Sequence, residues 1–184
     1  EQLVRALRLM RVPMAFLTTC YTRAMYDAVE GYSNGRLINP DKAFAWKIMS
    51  VAETMVYVDA PLFAYRVHAN NQGSLQARSG ALKHLVDQYA ASFDTPAPVL
   101  ERAGMTNADL ARAFVEEDIL LRGFKKVSEG DRRGARRGLA FGKAAYPDLS
   151  GTPRHALLHV IARMGPLGTA IARIAYRRRM GKAA

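Results

Sequence analysis

The chain has little cysteine and no long apolar run. Cys20 is the only cysteine among the 184 residues, which excludes an internal disulfide and suits a reducing compartment. With no histidine arranged beside it in the sequence, we expect Cys20 to be a small buried residue rather than a nucleophile. Lys or Arg interrupts every apolar stretch before it reaches the roughly 18 residues of a membrane span. These features argue against a disulfide-built domain and against a membrane-spanning helix.

Several enzyme motifs are also missing. The chain contains neither Gly-x-Gly-x-x-Gly nor Gly-x-x-x-x-Gly-Lys-Ser/Thr, so neither of these phosphate-binding loops is present. It has no cysteine pair and no His-Glu-x-x-His sequence to hold zinc. Nucleotide chemistry of the P-loop or dinucleotide type and a structural zinc site are therefore excluded for this stretch of sequence.

Acidic residues are scarce in the last third of the chain, where the positive charge collects. Residues 122–184 hold 15 Lys/Arg against three acids, a net +12, whereas residues 1–121 hold 12 against 13, a net −1. Arginines recur at helical spacing beside apolar positions in 132–137 and 173–179, a pattern typical of helices that lie on anionic bilayers. A solvated face, packing against another part of the protein and nucleic-acid contact remain alternatives. Nucleic acid has the least support, because interleaved aromatics and recognised binding motifs are absent.

The hydrophobic pattern predicts an α/β segment followed by an all-helical one. Short apolar, partly β-branched runs indicate strands at residues 14–20, 54–58 and 62–68. Helices are expected from Thr22 as N-cap and from Asn39-Pro40-Asp41 onward. We place the boundary between the two segments near residues 70–80, which gives an α/β domain over 1–75 and a basic helical region over 76–184. The whole chain is expected to be mostly helical.

Helix starts in the second region are marked by capping residues. Thr106-x-x-Asp109 resembles a capping box, with Asp in place of the usual Glu or Gln. Asp131 after Gly130 should cap the next helix, and Thr152 followed by Pro153 is a further start signal. Gly165-Pro166 should separate the last two helices. His84, His155 and His159 fall on these helical segments, where we expect solvated or helix-face histidines.

One ordered set of motifs over residues 16–74 points to a family. The set consists of Glu30-Gly31-Tyr32, Pro40-Asp41 with Trp46-Lys47, Tyr57-Val58-Asp59-Ala60-Pro61-Leu62, and Tyr65-Arg66-Val67-His68. In this order and at these spacings it resembles the end of the catalytic domain of family 2 glycosyltransferases of the GT-A fold. The tail, with Ala-Gly-Met-Thr and then Gly-Asp-Arg-Arg, also looks like the C-termini of bacterial glycosyltransferases. The resemblance implies the C-terminal, acceptor-side part of a Rossmann-like domain.

The resemblance implies a role for each matching residue. Asp41 would be the general base that deprotonates the acceptor hydroxyl in an inverting transfer. Arg66, His68 and Trp46 would contact the substrate or its diphosphate, and His68 would be a ligand of a divalent metal, Mg²⁺ or Mn²⁺. The structural alternatives are a helix-capping Asp41, an ion-paired Arg66, a strand-end His68 on the surface, and Trp46, Phe44 and Tyr65 in the core.

Two departures from the family pattern limit what this chain can do alone. Pro40 replaces the usual Glu, and an Asp-x-Asp sequence is absent, although in this fold that motif holds the metal. We therefore expect a fragment whose donor-binding half lies elsewhere and which alone is inactive. The expected partners are a nucleotide-sugar donor, a glycan or lipid-linked acceptor and an anionic membrane surface, with a cytoplasmic location that includes peripheral contact with the inner face of the membrane. The alternative function is a basic helical module that binds membranes or partners without catalysis.

Overall fold

The computed structural model describes residues 1–11, 19–32, 40–64, 66, 85–86, 89–90 and 95–180. Most of these residues are helical. The α-helices in chain order are α1 Gln2–Arg8, α2 Arg23–Ala28, α3 Pro40–Val51, α4 Ala97–Ala103, α5 Asn107–Phe114, α6 Arg122–Ser128, α7 Arg132–Ala145, α8 Pro153–Ile161 and α9 Gly165–Met180. A π-helical segment, Val115–Leu121, joins α5 to α6, and a 3-10 turn, Pro147–Leu149, follows α7. Residues 85–86 and 89–90 are helical as well.

The chain divides into two compact units. One comprises Glu1–Leu75 with Asp87–Leu110, and the other comprises Gln76–Val86 with Ala111–Ala184. In the first unit, α3 packs against α1, α2 and α4. Its apolar side chains form the centre of that unit, and Trp46 and Phe44 are among the most completely buried residues of the chain. The predicted core positions of these two aromatic residues are confirmed.

The helix starts follow the capping residues of the sequence. Thr22, Asp131 and Thr152 each accept a hydrogen bond from the backbone N–H three residues further on, so the three predicted caps are confirmed. Thr106 and Asp109 form the predicted reciprocal box. The Thr106 N–H donates to Asp109 Oδ2 at 2.9 Å, and the Asp109 N–H donates to Thr106 Oγ1 at 3.2 Å. Caps can be predicted because they depend on residues within one turn of each other.

The predicted α/β fold is wrong for the described residues, which contain no strand. Residues 54–58, expected as a strand, are irregular, and Val56 and Tyr57 are each 85% exposed. The described part of the third predicted strand, residues 62–64 and 66, is irregular and exposed as well. β-branched and aromatic side chains favour a strand only when a neighbouring strand supplies hydrogen bonds and an apolar face. These segments have the composition of strands but lack such a neighbour among the residues that the structure describes.

The first predicted strand falls mostly outside the described residues. Residues 14–18 lie in an undescribed range, and Thr19 and Cys20 are irregular. Cys20 is exposed, so the expectation of a buried cysteine is wrong.

In the second unit, α9 packs along α6 and against α8, while α6 also contacts α7. Leu158 and Ile161 of α8 and Ala172 of α9 are fully buried between these helices. Asp118 of the π-helical segment is buried too. The guanidinium of Arg122, one turn later in the chain, donates a hydrogen bond to the Asp118 carboxylate. Within the described residues, no helix combines the length and hydropathy that crossing a membrane requires.

His155 of α8 makes the stability of this unit sensitive to pH. Its Nε2 is buried, with no hydrogen-bond partner among the described residues. Burial lowers the pKa of His155, the positive charge of Lys143 and the neighbouring His159 lower it further, and a hydrogen bond with the backbone of Leu139 opposes them. The unfolded chain therefore binds the proton more tightly than the folded chain, so stability is greatest above the unfolded pKa of about 6.5 and falls as the pH drops through the folded pKa.

Urea denaturation at pH 8 and at pH 5 checks this expectation. Replacement of His155 by glutamine should reduce the loss of stability between the two pH values. His159→Gln on the same helix serves as the control and should leave that loss nearly unchanged. An equal pH dependence in the wild type and in His155→Gln would show that the buried imidazole is not responsible.

Candidate functional site

Helix α3 holds Asp41 in its first turn, where backbone N–H groups lack partners within the helix. The helix begins at Pro40, so Asp41 lies inside the first turn and not at the capping position. Its side chain is half-buried. The partial positive charge of a helix N-terminus interacts favourably with a negatively charged side chain located there. Asp41 is thus a partly accessible carboxylate on a rigid element.

The helix is anchored by Trp46, one turn beyond Asp41. The indole N–H of Trp46 donates to the backbone carbonyl of Arg11 at 3.2 Å. The ammonium group of Lys42 lies 4.8 Å from the centroid of the Trp46 ring, within range of a cation–π interaction. At the other end of the helix, the Arg102 guanidinium donates to the carbonyl of Ala52 at 2.9 Å. These contacts fix the axis of α3 and with it the position of Asp41.

A cluster of tyrosines surrounds Phe44 on the same helix. The ring centroids of Tyr21, Tyr26 and Tyr32 lie 5.3, 6.0 and 5.2 Å from that of Phe44. Tyr21 and Tyr26 are also stacked on each other, with their rings 6.2 Å apart. We call Tyr21, Tyr26 and Tyr32 the tyrosine cluster. It brings three phenolic side chains, from before, within and after α2, to the beginning of α3.

Within the tyrosine cluster, the Tyr32 phenol has a pKa that is affected by the charge of Asp41. Burial raises the pKa of the Tyr32 phenol, and the negative charges of Asp41 and of ionised Tyr21 raise it further. A neighbouring carboxylate disfavours the phenolate, so the phenol stays protonated and keeps an O–H donor near Asp41. The pair could therefore present one acceptor and one donor to the hydroxyl groups of a ligand.

The turn that brings Tyr32 into position has unusual backbone geometry. Glu30 and Gly31 both have positive φ, 58° and 72°, in the left-handed region. Glycine tolerates this region, whereas an ordinary residue is strained there. A Cβ on Gly31 would lie 2.8 Å from the Tyr26 hydroxyl oxygen. The turn after α2 therefore needs glycine at position 31 and holds Glu30 under strain.

The other predicted site residues are dispersed or undescribed. Arg66 is exposed in an irregular segment. Trp46 is fully buried and its N–H is used by the backbone of Arg11, which is the arrangement of a core residue. His68 and Tyr65 lie outside the described residues. Asp41 thus lies near enough to Tyr32 for its charge to raise the pKa of the phenol. The assignments of Arg66, His68 and Trp46 to substrate stay predictions.

The described residues do not contain a metal site. Within them, no group of three or more His, Cys, Asp or Glu side chains is arranged to hold a metal ion. The predicted ligand His68 falls outside this part of the chain. The Mg²⁺ or Mn²⁺ ion implied by the resemblance therefore stays a prediction, and we derive no chemical step from it.

The sequence reasoning missed the tyrosine cluster as a unit. Tyr32 was noted only within the Glu30-Gly31-Tyr32 block, and the cluster joins residues from either side of α2. The position of Phe44 was an indication of such a cluster, because its helical spacing predicted a buried aromatic ring against which other rings could pack. Which rings would do so depends on the path of the turn through Gly31, which the sequence pattern did not reveal.

Comparison with known proteins adds no relative. The chain matches no protein-family model, no curated protein and no solved structure.

Proposed function

We propose that this chain is part of an inverting glycosyltransferase in which Asp41 is the general base for the acceptor hydroxyl. The observation that carries the proposal is a half-buried carboxylate in the first turn of an anchored helix, whose charge helps to raise the pKa of the Tyr32 phenol. A base of this kind must be held within hydrogen-bond reach of the proton it removes. Asp41 meets the requirement for rigidity, and its partial exposure leaves it accessible to an acceptor.

The proposed step transfers one proton and one glycosyl group. The Asp41 carboxylate accepts the proton of the acceptor hydroxyl while the hydroxyl oxygen forms a bond to the anomeric carbon of the donor sugar. The bond from that carbon to the diphosphate oxygen breaks, and the nucleoside diphosphate leaves with the bonding electron pair. Attack from the face opposite the leaving group inverts the configuration. The phenol of Tyr32 would orient the acceptor by donating a hydrogen bond.

Three further features of the sequence and the structure support the same proposal. The ordered blocks from Glu30-Gly31-Tyr32 to Tyr65-Arg66-Val67-His68 resemble family 2 glycosyltransferases. Those enzymes commonly have two glycines at the turn where this chain has Glu30-Gly31, and both residues here have left-handed backbone, the geometry that glycine favours. Arg66 is exposed and carries the charge expected of a group that offsets a diphosphate.

The intact enzyme needs more than the residues of this chain. The nucleotide-sugar donor would bind to a second half that supplies the missing Asp-x-Asp, so we expect the 184 residues alone to be inactive. The acceptor would be a glycan or a lipid-linked sugar. We place the enzyme in the cytoplasm of a bacterium, with peripheral contact with the inner face of the cell membrane.

Replacing Asp41 by asparagine in the intact enzyme should lower kcat by roughly 10²- to 10⁴-fold, because asparagine cannot take up the proton. Release of UDP from UDP-sugars, measured with and without acceptor, reports kcat. Binding of UDP should change little, since the base contacts the acceptor and not the nucleotide. Retained transfer in Asp41→Asn would remove the assignment of the base.

A matched control is Asp27→Asn in α2. Asp27 is an exposed carboxylate in the same unit, paired with Arg23 at 2.9 Å. An exposed pair of this kind contributes at most about 1 kcal/mol to stability, so the substitution tests the loss of one negative charge without removing the proposed base. We expect wild-type kcat. If both variants lose activity equally, the loss reports general charge or stability and not proton transfer at Asp41.

A further inference from the structure

The last two helices carry a second apolar surface that is not part of the core. Its residues are large, follow each other at intervals of three and four positions, and are 36–60% exposed: Leu157, Val160, Met164, Leu167, Ile171 and Ile174. We call these six residues the outer stripe. Such spacing keeps side chains on one face of a helix, so α8 and α9 each present an apolar face to solvent.

The outer stripe is distinct from the face that packs inside the unit. Leu158 and Ile161 of α8 and Ala172 of α9 are buried, and α9 lies along α6. The Arg173 guanidinium reaches back to donate to the carbonyl of Ser128 at the end of α6, at 3.2 Å. The inner face thus accounts for the packing of α9, while the outer stripe remains uncovered in the chain as described.

The charge around the outer stripe selects the kind of surface that could cover it. Residues 149–184 contain seven Lys/Arg and no Asp or Glu. Arg163 and Arg177 are exposed beside the stripe. A second copy of the chain would bring two strongly positive segments together, which like-charge repulsion disfavours. An anionic surface complements this charge.

Among anionic surfaces, the apolar content favours a bilayer over a nucleic acid. Nucleic acids are bound through phosphate contacts and stacking on aromatic rings, and residues 149–184 contain one aromatic residue, Tyr176. Aliphatic side chains flanked by arginines are instead suited to the boundary between lipid headgroups and acyl chains. Arginine side chains there remain near the phosphates while the aliphatic groups leave water.

We infer that the outer stripe on α8 and α9 docks onto an anionic lipid bilayer, with its aliphatic side chains in the interface and the exposed Arg163 and Arg177 on the headgroups. The inference names the surface that would make the peripheral membrane contact proposed above, and it does not depend on the transferase activity. Leu167, Ile171 and Ile174, on successive turns of α9, form the part of the stripe that inserts.

Another exposed apolar segment provides an internal comparison. Met55, Val56 and Val58 are each more than half exposed, and so are Leu167 and Ile174 of α9. That segment lies between Glu53 and Asp59, which an anionic surface repels. Exposed apolar area is therefore present in both places, but only the outer stripe is surrounded by positive charge.

Co-sedimentation of the full chain with vesicles tests the inference. We expect binding to vesicles of phosphatidylcholine mixed with phosphatidylglycerol, little binding to pure phosphatidylcholine, and weaker binding as salt screens the charges. The triple variant Leu167→Ser, Ile171→Ser, Ile174→Ser should weaken binding roughly 100-fold, because each residue loses apolar area that the bilayer would cover. Arg163→Gln with Arg177→Gln should weaken it roughly 30-fold, about fivefold for each charge.

The matched control is the triple variant Met55→Ser, Val56→Ser, Val58→Ser, which should bind as the wild type does. A second measurement does not depend on the triple variants folding. In a Cys20→Ser background, an environment-sensitive fluorophore attached at Leu167→Cys should shift to the blue on anionic vesicles, and the same fluorophore at Val56→Cys should not. Cys20 is exposed, so it must be replaced to leave one site of attachment.

Three results would overturn the inference. One is the absence of binding to anionic vesicles at low salt. Another is undiminished binding of the triple serine variant of α9 together with no blue shift at position 167, which would mean that the adsorption is purely electrostatic. The third is self-association of the wild type in the absence of lipid that the stripe variant abolishes, which would make a second copy of the chain the occupant.

Discussion

Replacement of Trp46 by alanine is expected to lower the free energy of unfolding by about 4 kcal/mol, enough to remove most of the stability of a typical small domain. The indole is fully buried at the centre of α3. Its removal leaves a cavity, ends the hydrogen bond to the Arg11 carbonyl and takes away the ring that faces the Lys42 ammonium. Since Lys42 is itself buried, its charge would lose a favourable neighbour in a place with little water.

Urea denaturation followed by far-UV circular dichroism measures this loss. Tryptophan fluorescence is unsuitable for the alanine variant because Trp46 is the only tryptophan. Trp46→Phe separates the contributions, since it retains much of the packing but removes the N–H donor. We expect that variant to lose about 1–2 kcal/mol. Losses of the same size in both variants would mean that the hydrogen bond, and not the packing, anchors α3.

Replacement of Gly168 by alanine is expected to destabilise the second unit by about 3 kcal/mol, at the upper end of what overpacking costs. A Cβ at this position would lie 1.9 Å from the carbonyl oxygen of Ile161 and 2.9 Å from its carbonyl carbon. These are backbone atoms at the end of α8, so they cannot rotate away as a flexible side chain can. The beginning of α9 would have to move away from the end of α8.

Gly151→Ala is the matched control for this substitution. Nothing lies within 4 Å of a Cβ built at Gly151, and its φ is outside the left-handed region. We expect a change within about 0.5 kcal/mol, as for most surface substitutions. If thermal or urea denaturation showed Gly168→Ala to be as stable as Gly151→Ala, the close approach of the two helices would be disproved.

Helix starts were the most predictable part of the fold. Thr22, Thr106 with Asp109, Asp131 and Thr152 could be identified from the sequence because a cap and the N–H groups that it satisfies lie within four residues of each other. The same locality applies to Gly165, which begins α9 with a φ of 62° that glycine adopts readily. Interactions of this range do not depend on the rest of the fold.

The strands were the least predictable part. Residues 54–58 have the β-branched and aromatic composition of a strand, yet they are irregular and exposed. A strand is completed by hydrogen bonds to a neighbour that is distant in sequence, so composition indicates the tendency and not the outcome. His155 illustrates the same limit, although its predicted place on a helix is confirmed. Its position on a helix was evident, but the burial of its Nε2 depends on α7, whose approach the sequence does not reveal.

The candidate site was only partly predictable. Asp41 was identified from its place at a helix start within the family-like blocks, and the structure confirms the helix that carries it. Tyr32 became significant only when the turn through Gly31 brought its phenol close enough to respond to the charge of Asp41. His68 and the metal that it was expected to bind stay predictions.

The helix caps, the core positions of Phe44 and Trp46, and the concentration of positive charge after residue 121 could be predicted from near neighbours or from composition. Contacts between distant residues were needed to show three further features. The predicted strands do not form a sheet among the described residues, three tyrosines gather around Phe44, and α8 and α9 bury one apolar face while exposing another. Those outcomes depend on contacts between residues far apart in the chain, and local pattern cannot choose among such contacts.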